Sequence, residues 1–134
     1  MHMLHHVSLG VANIERSSDL YDAMLAPLGY GRVWSDLRPG EQGQAVGYGV
    51  AGSGDKLALK QISGAISIGE GFHLAFAASG HDAVRAFHEA ALRNGAKDNG
   101  QPGYRPHYGA HYYAAFVIDL DGHHLEAVCN SPGE

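Results

Sequence analysis

The sequence predicts an α+β fold built from two copies of one strand–helix–three-strand unit, and three observations predict it. Shifting the 134-residue chain by 67 positions, half its length, aligns His6-Val7-Ser8-Leu9-Gly10-Val11 with His73-Leu74-Ala75-Phe76-Ala77-Ala78. The same shift, without a gap, pairs Leu20-Tyr21-Asp22-Ala23-Met24-Leu25 with Phe87-His88-Glu89-Ala90-Ala91-Leu92. Two in-register blocks in the same order point to a duplicated half-domain, too long and too few in copies for a common solenoid. Third, the segments between them are short strand-like runs separated by Gly-rich turns.

The elements follow in order. Residues 3–11 alternate, with Met3, Val7, Leu9 and Val11 on one face, which predicts the first strand. Asn13 is placed to cap a helix on which Ile14, Tyr21, Leu25 and Leu28 form one stripe, and Pro27 and Gly29 end it. Short strands are expected at 30–36, 43–50 and 56–62. The second copy opens with a strand at 71–78 and continues as a helix over about 81–94, with Val84, Phe87, His88 and Ala91 inward and Gly95 as the stop. Residues 98–110, rich in Gly, Pro and Tyr, read as a loop before strands at 111–119 and 123–129, joined by a tight turn at Asp121-Gly122. The chain is thus expected to be one domain over 1–134: module one about 1–63, a linker at 64–70, and module two about 71–134.

Composition narrows the function classes. A hydrophobic fraction of 45% with 17% charged residues is that of a soluble globular protein and excludes a disordered or fibrous chain. No apolar run reaches the roughly 18 residues of a membrane helix, and Met1-His2-Met3-Leu4-His5-His6 does not read as a secretion signal. The single cysteine, Cys129, rules out an internal disulfide framework and suits a cytoplasmic protein. Nine Lys and Arg against fourteen Asp and Glu give a formal charge of −5, which argues against a phosphate-tracking surface and so against nucleic acid as a partner. Ten histidines are a supply of metal ligands.

Strand parity selects among those histidines. Val7, Leu9 and Val11 form the apolar face of the first strand, so His6 and Ser8 point the other way, and His5 lies on the less suitable face. Phe72, Leu74 and Phe76 leave His73, Ala75 and Ala77 opposite. In the last strand Leu125, Ala127 and Cys129 leave His124, Glu126 and Val128 opposite. Two imidazoles and a carboxylate on the non-helical face are a candidate site for one divalent ion, with Zn, Fe, Ni and Mn all compatible and with positions open to substrate.

These segments, with the ending Asp119-Leu120-Asp121-Gly122-His123-His124-Leu125-Glu126-Ala127-Val128, resemble the vicinal oxygen chelate superfamily of glyoxalase I, fosfomycin-resistance proteins, extradiol dioxygenases and bleomycin-resistance proteins. The resemblance spans nearly the whole chain, and Asp-x-Asp-Gly-x-x-x-Glu is its most specific part. It implies two βαβββ modules forming a curled mixed sheet around a cavity, helices on the outer face, and a homodimer. It also implies His6, His73 and Glu126 as ligands of an ion that binds vicinal substrate oxygens as a Lewis acid. A fourth carboxylate ligand, common in glyoxalase I, is missing, because Ala58 or Leu59 stands at the equivalent of Glu126 and Lys60 and Gln61 are poor substitutes.

Other motifs fail on context. Gly47-Tyr48-Gly49-Val50-Ala51-Gly52 matches a dinucleotide fingerprint, but a turn and a strand follow where a helix is needed. Asp119-x-Asp121-Gly122 lacks the flanking carboxylates of a calcium loop, with Val117 and Val128 at those positions, and reads as a hairpin. Tyr104–Tyr113 is dense in aromatic and titratable groups. Arg105 is a candidate for a substrate carboxylate, His107, His111 and Tyr112 are candidate bases, and Trp34 and Tyr48 are candidate cavity walls or core. The functional expectation is a metal-dependent enzyme on a small molecule with vicinal oxygens, by lyase, isomerase or transferase chemistry. The alternative is a metal-free binding or antibiotic-sequestering protein of the bleomycin-resistance type.

Overall fold

A computed structural model describes residues 3–132; residues 1–2 and 133–134, the outer ends of the two expected modules, lie outside the described residues. In chain order the elements are β1 (Val7–Val11), α1 (Ile14–Leu25), β2 (Gly31–Asp36), β3 (Ala45–Gly49), β4 (Leu57–Gln61), β5 (Leu74–Ala77), α2 (His81–Arg93), β6 (Lys97–Tyr104), β7 (Tyr112–Ile118) and β8 (His124–Asn130). They form two four-stranded mixed sheets, β1-β4-β3-β2 and β5-β8-β7-β6. In each, the strand before the helix pairs in parallel with the last strand of its module and the other pairs are antiparallel. The duplication seen at a 67-residue offset is therefore two βαβββ modules in an α+β architecture.

Local chemistry sets the helix ends. The Asn13 side chain accepts the Arg16 N–H at 3.1 Å, supplying one of the partners that the first turn of α1 lacks. Pro27 lies in a short 3-10 turn after α1, and Gly29 stops it with a φ of 89° that a side chain would resist. In α2 the apolar stripe of Val84, Phe87 and Ala91 is fully buried, and His88 is buried with it, its Nε2 2.9 Å from Asp98 Oδ1. The two helices cover one side of the sheets, and their buried faces join a single apolar cluster that includes Val11, Leu20, Met24, Leu59, Val117, Leu125 and Ala127. No helix among the described residues is long and apolar enough to cross a membrane.

The expected loop at 98–110 is a strand over most of its first half. Gly100, Pro102 and Gly103 read as turn residues, yet β6 pairs with β7 from Lys97↔Ile118 to Tyr104↔Tyr113, interrupted twice by bulges. The strand lies at a sheet edge, where a proline and extra residues are tolerated because no second neighbour needs the missing donor.

The modules are clasped by the β7–β8 turn. Asp119 accepts the Tyr21 hydroxyl of α1 at 2.5 Å, while Asp121 accepts the Ala12 N–H at 3.1 Å and the Ser17 hydroxyl at 3.4 Å. Tyr30 adds a fourth tie, donating its hydroxyl to the Ala77 carbonyl at 2.8 Å. Acidic residues of module two thus fix the β1–α1 corner of module one relative to β8.

Candidate functional site

The second sheet presents its helix-free face through strict alternation. Leu125, Ala127 and Cys129 enter the core, so Glu126 points away from it, and the register sets Ala75 and Phe116 beside it on β5 and β7. His73, one residue before β5, brings Nε2 to 2.5 Å from Glu126 Oε1. Tyr112 donates its hydroxyl to the other oxygen, Oε2. The Glu126 side chain is only 4% exposed whereas that of His73 is 42% exposed, so the carboxylate lies deep and the imidazole stands at the rim of the open face. A carboxylate removed from water needs such partners on both oxygens.

Tyr112 is held as a donor. Burial, then the bond to Glu126 and the charge of that carboxylate, push the Tyr112 phenol up to about 12. All three oppose the phenolate. Because the folded-state value lies above that of a free phenol, about 10, the stabilisation is complete below pH 10 and is lost as pH rises through about 12. Ultraviolet titration of wild type and Tyr112→Phe should differ by one phenol ionising near 12; loss of a phenol ionising near 10 contradicts this.

The other anticipated residues distribute unevenly. His6 lies just before β1, exposed, with Nδ1 2.8 Å from Nδ1 of His5, and lines a cavity shared with Leu74, Ala75, Phe76 and Ala77. It is not drawn into a three-ligand set with His73 and Glu126. Among the described residues, the one group of three potential ligands whose atoms lie within 4.8 Å of one another is Asp119, Asp121 and His123. Those carboxylates already accept from Tyr21, Ala12 and Ser17, and Asp119 also accepts the backbone N–H groups of Asp121 and His123. A cation would have to displace these donors, so the group acts as the inter-module clasp. His107 and His111 are exposed; His107 packs on Tyr108 (ring centres 4.1 Å apart), which packs on Tyr112 (5.2 Å).

Trp34 and Tyr48 fall on opposite faces of the first sheet. A bulge between Arg32 and Trp34 reverses parity. The Trp34 indole therefore covers Gly47 on the helix-free face, so closely that a Cβ on Gly47 would lie 2.2 Å from its Nε1. Tyr48 instead points toward α1, is buried, and donates its hydroxyl to Asp22 at 2.8 Å. It belongs to the core and also borders the cavity that His6 lines, and burial followed by the Asp22 bond raises its phenol. The register also settles which residue matches Glu126 in module one: Ser8 pairs with Ala58 as Ala75 pairs with Glu126, so that position carries a methyl group.

Arg105, the candidate for a substrate carboxylate, stands on this face, and Phe116 beside it was not anticipated. Phe116 lies 5.8 Å from the His73 ring, centre to centre, and under the Arg105 guanidinium at 5.2 Å. The signal was available in parity, since Tyr112 and Phe116 are four residues apart on one strand and share a side.

Comparison with known proteins places this arrangement. The chain is similar to a glyoxalase/bleomycin resistance protein from Albidiferax ferrireducens, with 28% identity, a TM-score of 0.76, and coverage of 95% of this chain and 98% of that one. A glyoxalase/bleomycin resistance protein/dioxygenase domain from Frankia sp. shares the fold at 19% identity and a TM-score of 0.72, covering 100% and 96%. A mutant glyoxalase I from Zea mays shares it at 22% identity and a TM-score of 0.68, covering 93% of this chain and 43% of that one. No curated protein matched the chain. The family model for the Glyoxalase/Bleomycin resistance protein/Dioxygenase superfamily matches residues 3–127, and the chain belongs to that superfamily.

Proposed function

We propose that the protein is a metal-dependent enzyme acting on a small molecule with vicinal oxygens, by lyase, isomerase or transferase chemistry. The observation that carries this reading is the meeting of His73 with the buried Glu126 on the sheet face that the helices leave open. An imidazole nitrogen and a carboxylate oxygen there suit one divalent ion such as Zn, Fe, Ni or Mn, with His6 as the third ligand. Such an ion, when bound, supplies a Lewis acid for adjacent substrate oxygens. Tyr112 fixes the orientation of the Glu126 carboxylate, as partners behind a ligand commonly do. Phe116 gives the substrate an apolar wall, and Tyr112, His111 and His107 are the candidates for moving a proton.

Because His6 stands with His5 rather than with His73 and Glu126, we place the third ligand across a homodimer contact, with His6 of one copy completing the pair of another. Sedimentation at micromolar concentration should show a dimer, and a monomer contradicts this arrangement. One observation favours the alternative of a metal-free binding protein: each Glu126 oxygen already has a donor, so the cluster is satisfied without an ion. Binding of acetohydroxamate to metal-loaded and metal-stripped protein separates the two. The enzyme reading expects stripping to weaken binding by at least about tenfold. Equal affinity favours the plain pocket.

A further inference from the structure

The face that carries His73 and Glu126 holds a second charged group, which no carboxylate among the described residues neutralises. Arg105 follows β6 directly, and its backbone N–H bonds the Tyr112 carbonyl at 2.8 Å, so the two side chains share a face. Its guanidinium carbon lies 5.2 Å from the centre of the Phe116 ring, which is itself 5.8 Å from the centre of the His73 ring. With Phe116 common to both contacts, the guanidinium and the imidazole are within about 11 Å of each other.

Arg32, Arg38, Arg85 and Arg93 each hold a carboxylate. Among the described residues no carboxylate lies within ion-pair distance of Arg105. Its guanidinium donates from Nη2 to the Gln101 carbonyl at 2.7 Å and from Nη1 to the Tyr104 carbonyl at 3.4 Å. A guanidinium has five N–H donors, so most of its capacity stays available. The room it occupies depends on glycine. A Cβ on Gly103 would lie 3.1 Å from Nη1, and one on Gly100 would lie 3.2 Å from Nη2 and 2.7 Å from Phe116. The bulges of β6 therefore shape a bay in which two carbonyls and a ring fix the guanidinium plane.

Phe116 lies beneath the guanidinium, and the N–H groups not spent on Gln101 and Tyr104 are left for a ligand. Edge-on approach with parallel N–H···O bonds is the geometry of a planar carboxylate, and a lysine would not reproduce it. We propose that Arg105 determines specificity by binding a carboxylate of the substrate. The substrate class is then a small carboxylic acid that also carries the vicinal oxygens. The vicinal oxygens rest on the metal reading above; the carboxylate rests on Arg105 alone.

The test compares two hydroxamates, acetohydroxamate and the monohydroxamate of succinic acid, which differ by a carboxylate-bearing arm. Calorimetry with Ni²⁺-loaded wild type should show the second binding about tenfold or more tightly, as expected for a charge-assisted bidentate contact. The preference should vanish in Arg105→Gln and shrink in Arg105→Lys, while acetohydroxamate binds all three alike. An unchanged preference in Arg105→Gln overturns the proposal. If neither hydroxamate binds wild type, it is the metal reading that fails, and succinate added to metal-stripped wild type then decides. A nitrogen-15 shift of the Arg105 Nε–H supports the carboxylate site, and no shift at millimolar succinate overturns it.

Discussion

Asp119→Ala should destabilise the protein by about 3–5 kcal/mol, the cost of breaking a buried, hydrogen-bonded charged group. The Asp119 side chain is 1% exposed and serves four donors: the Tyr21 hydroxyl at 2.5 Å, His123 Nδ1 at 2.8 Å, and the backbone N–H groups of Asp121 and His123 at 3.0 and 2.9 Å. Truncation leaves these without an acceptor in a place that water does not reach, at about 1–3 kcal/mol for each group that finds no substitute. Tyr21→Phe removes one of the four donors to the carboxylate and should cost less, about 1.5–3 kcal/mol. Urea unfolding should show a lower midpoint for Asp119→Ala at an unchanged slope; a loss below about 1 kcal/mol would contradict the clasp. The pH dependence has a definite sign. Burial pushes the Asp119 carboxyl up, but the bonds from His123 and Tyr21 outweigh it and hold it below its ordinary value. A depressed carboxyl stabilises the fold above the unfolded value of about 4, and that contribution is lost as pH falls through the lower folded value.

Glu126→Ala should act on metal and not on folding. The side chain lies outside the apolar cluster, on the helix-free face, and its partners His73 and Tyr112 can turn to water, since His73 stands at the rim. Unfolding midpoints should therefore change little, by about 1 kcal/mol or less. With Glu126 as the one carboxylate ligand of the proposed site, its loss should lower affinity for a divalent ion by about a hundredfold or more, beyond the 10–100-fold typical of losing a supporting partner. A Tyr112→Phe protein, in which the ligand remains and only its orienting bond is gone, should fall within that smaller range.

The residues that strand parity placed correctly lie where alternation is sharp. His73 and Glu126 sit between neighbours that enter the core, so a period of two was enough to put both on the open face. The inward His88 and the stop at Gly29 followed from equally local rules. Parity failed where local pattern carried no contrast. Every residue of β3 is buried, so nothing in 45–49 separates the Tyr48 face from the Gly47 face, and the bulge between Arg32 and Trp34 breaks the alternation there, which is why cavity wall and core stayed open for both rings. The strand β6 was illegible because Gly100, Pro102 and Gly103 favour turns, and only the hydrogen-bond ladder of β7 makes them extended. The clasp was hidden for a different reason. Tyr21 and Asp119 are 98 positions apart, and Ala12 and Asp121 are 109 apart, so no window along the chain contains both partners. The Asp-x-Asp-Gly motif was visible as a hairpin, while its oxygens' partners belong to the other module.

If His73 and Glu126 are ligands of one divalent ion, elemental analysis of wild type and Glu126→Ala, both purified without a chelator or a metal-affinity step, should find about one divalent ion per chain in wild type and almost none in Glu126→Ala, with both proteins folded. Full metal retained by the Glu126→Ala protein, or a folded wild type that takes up no ion when it is offered, would contradict it.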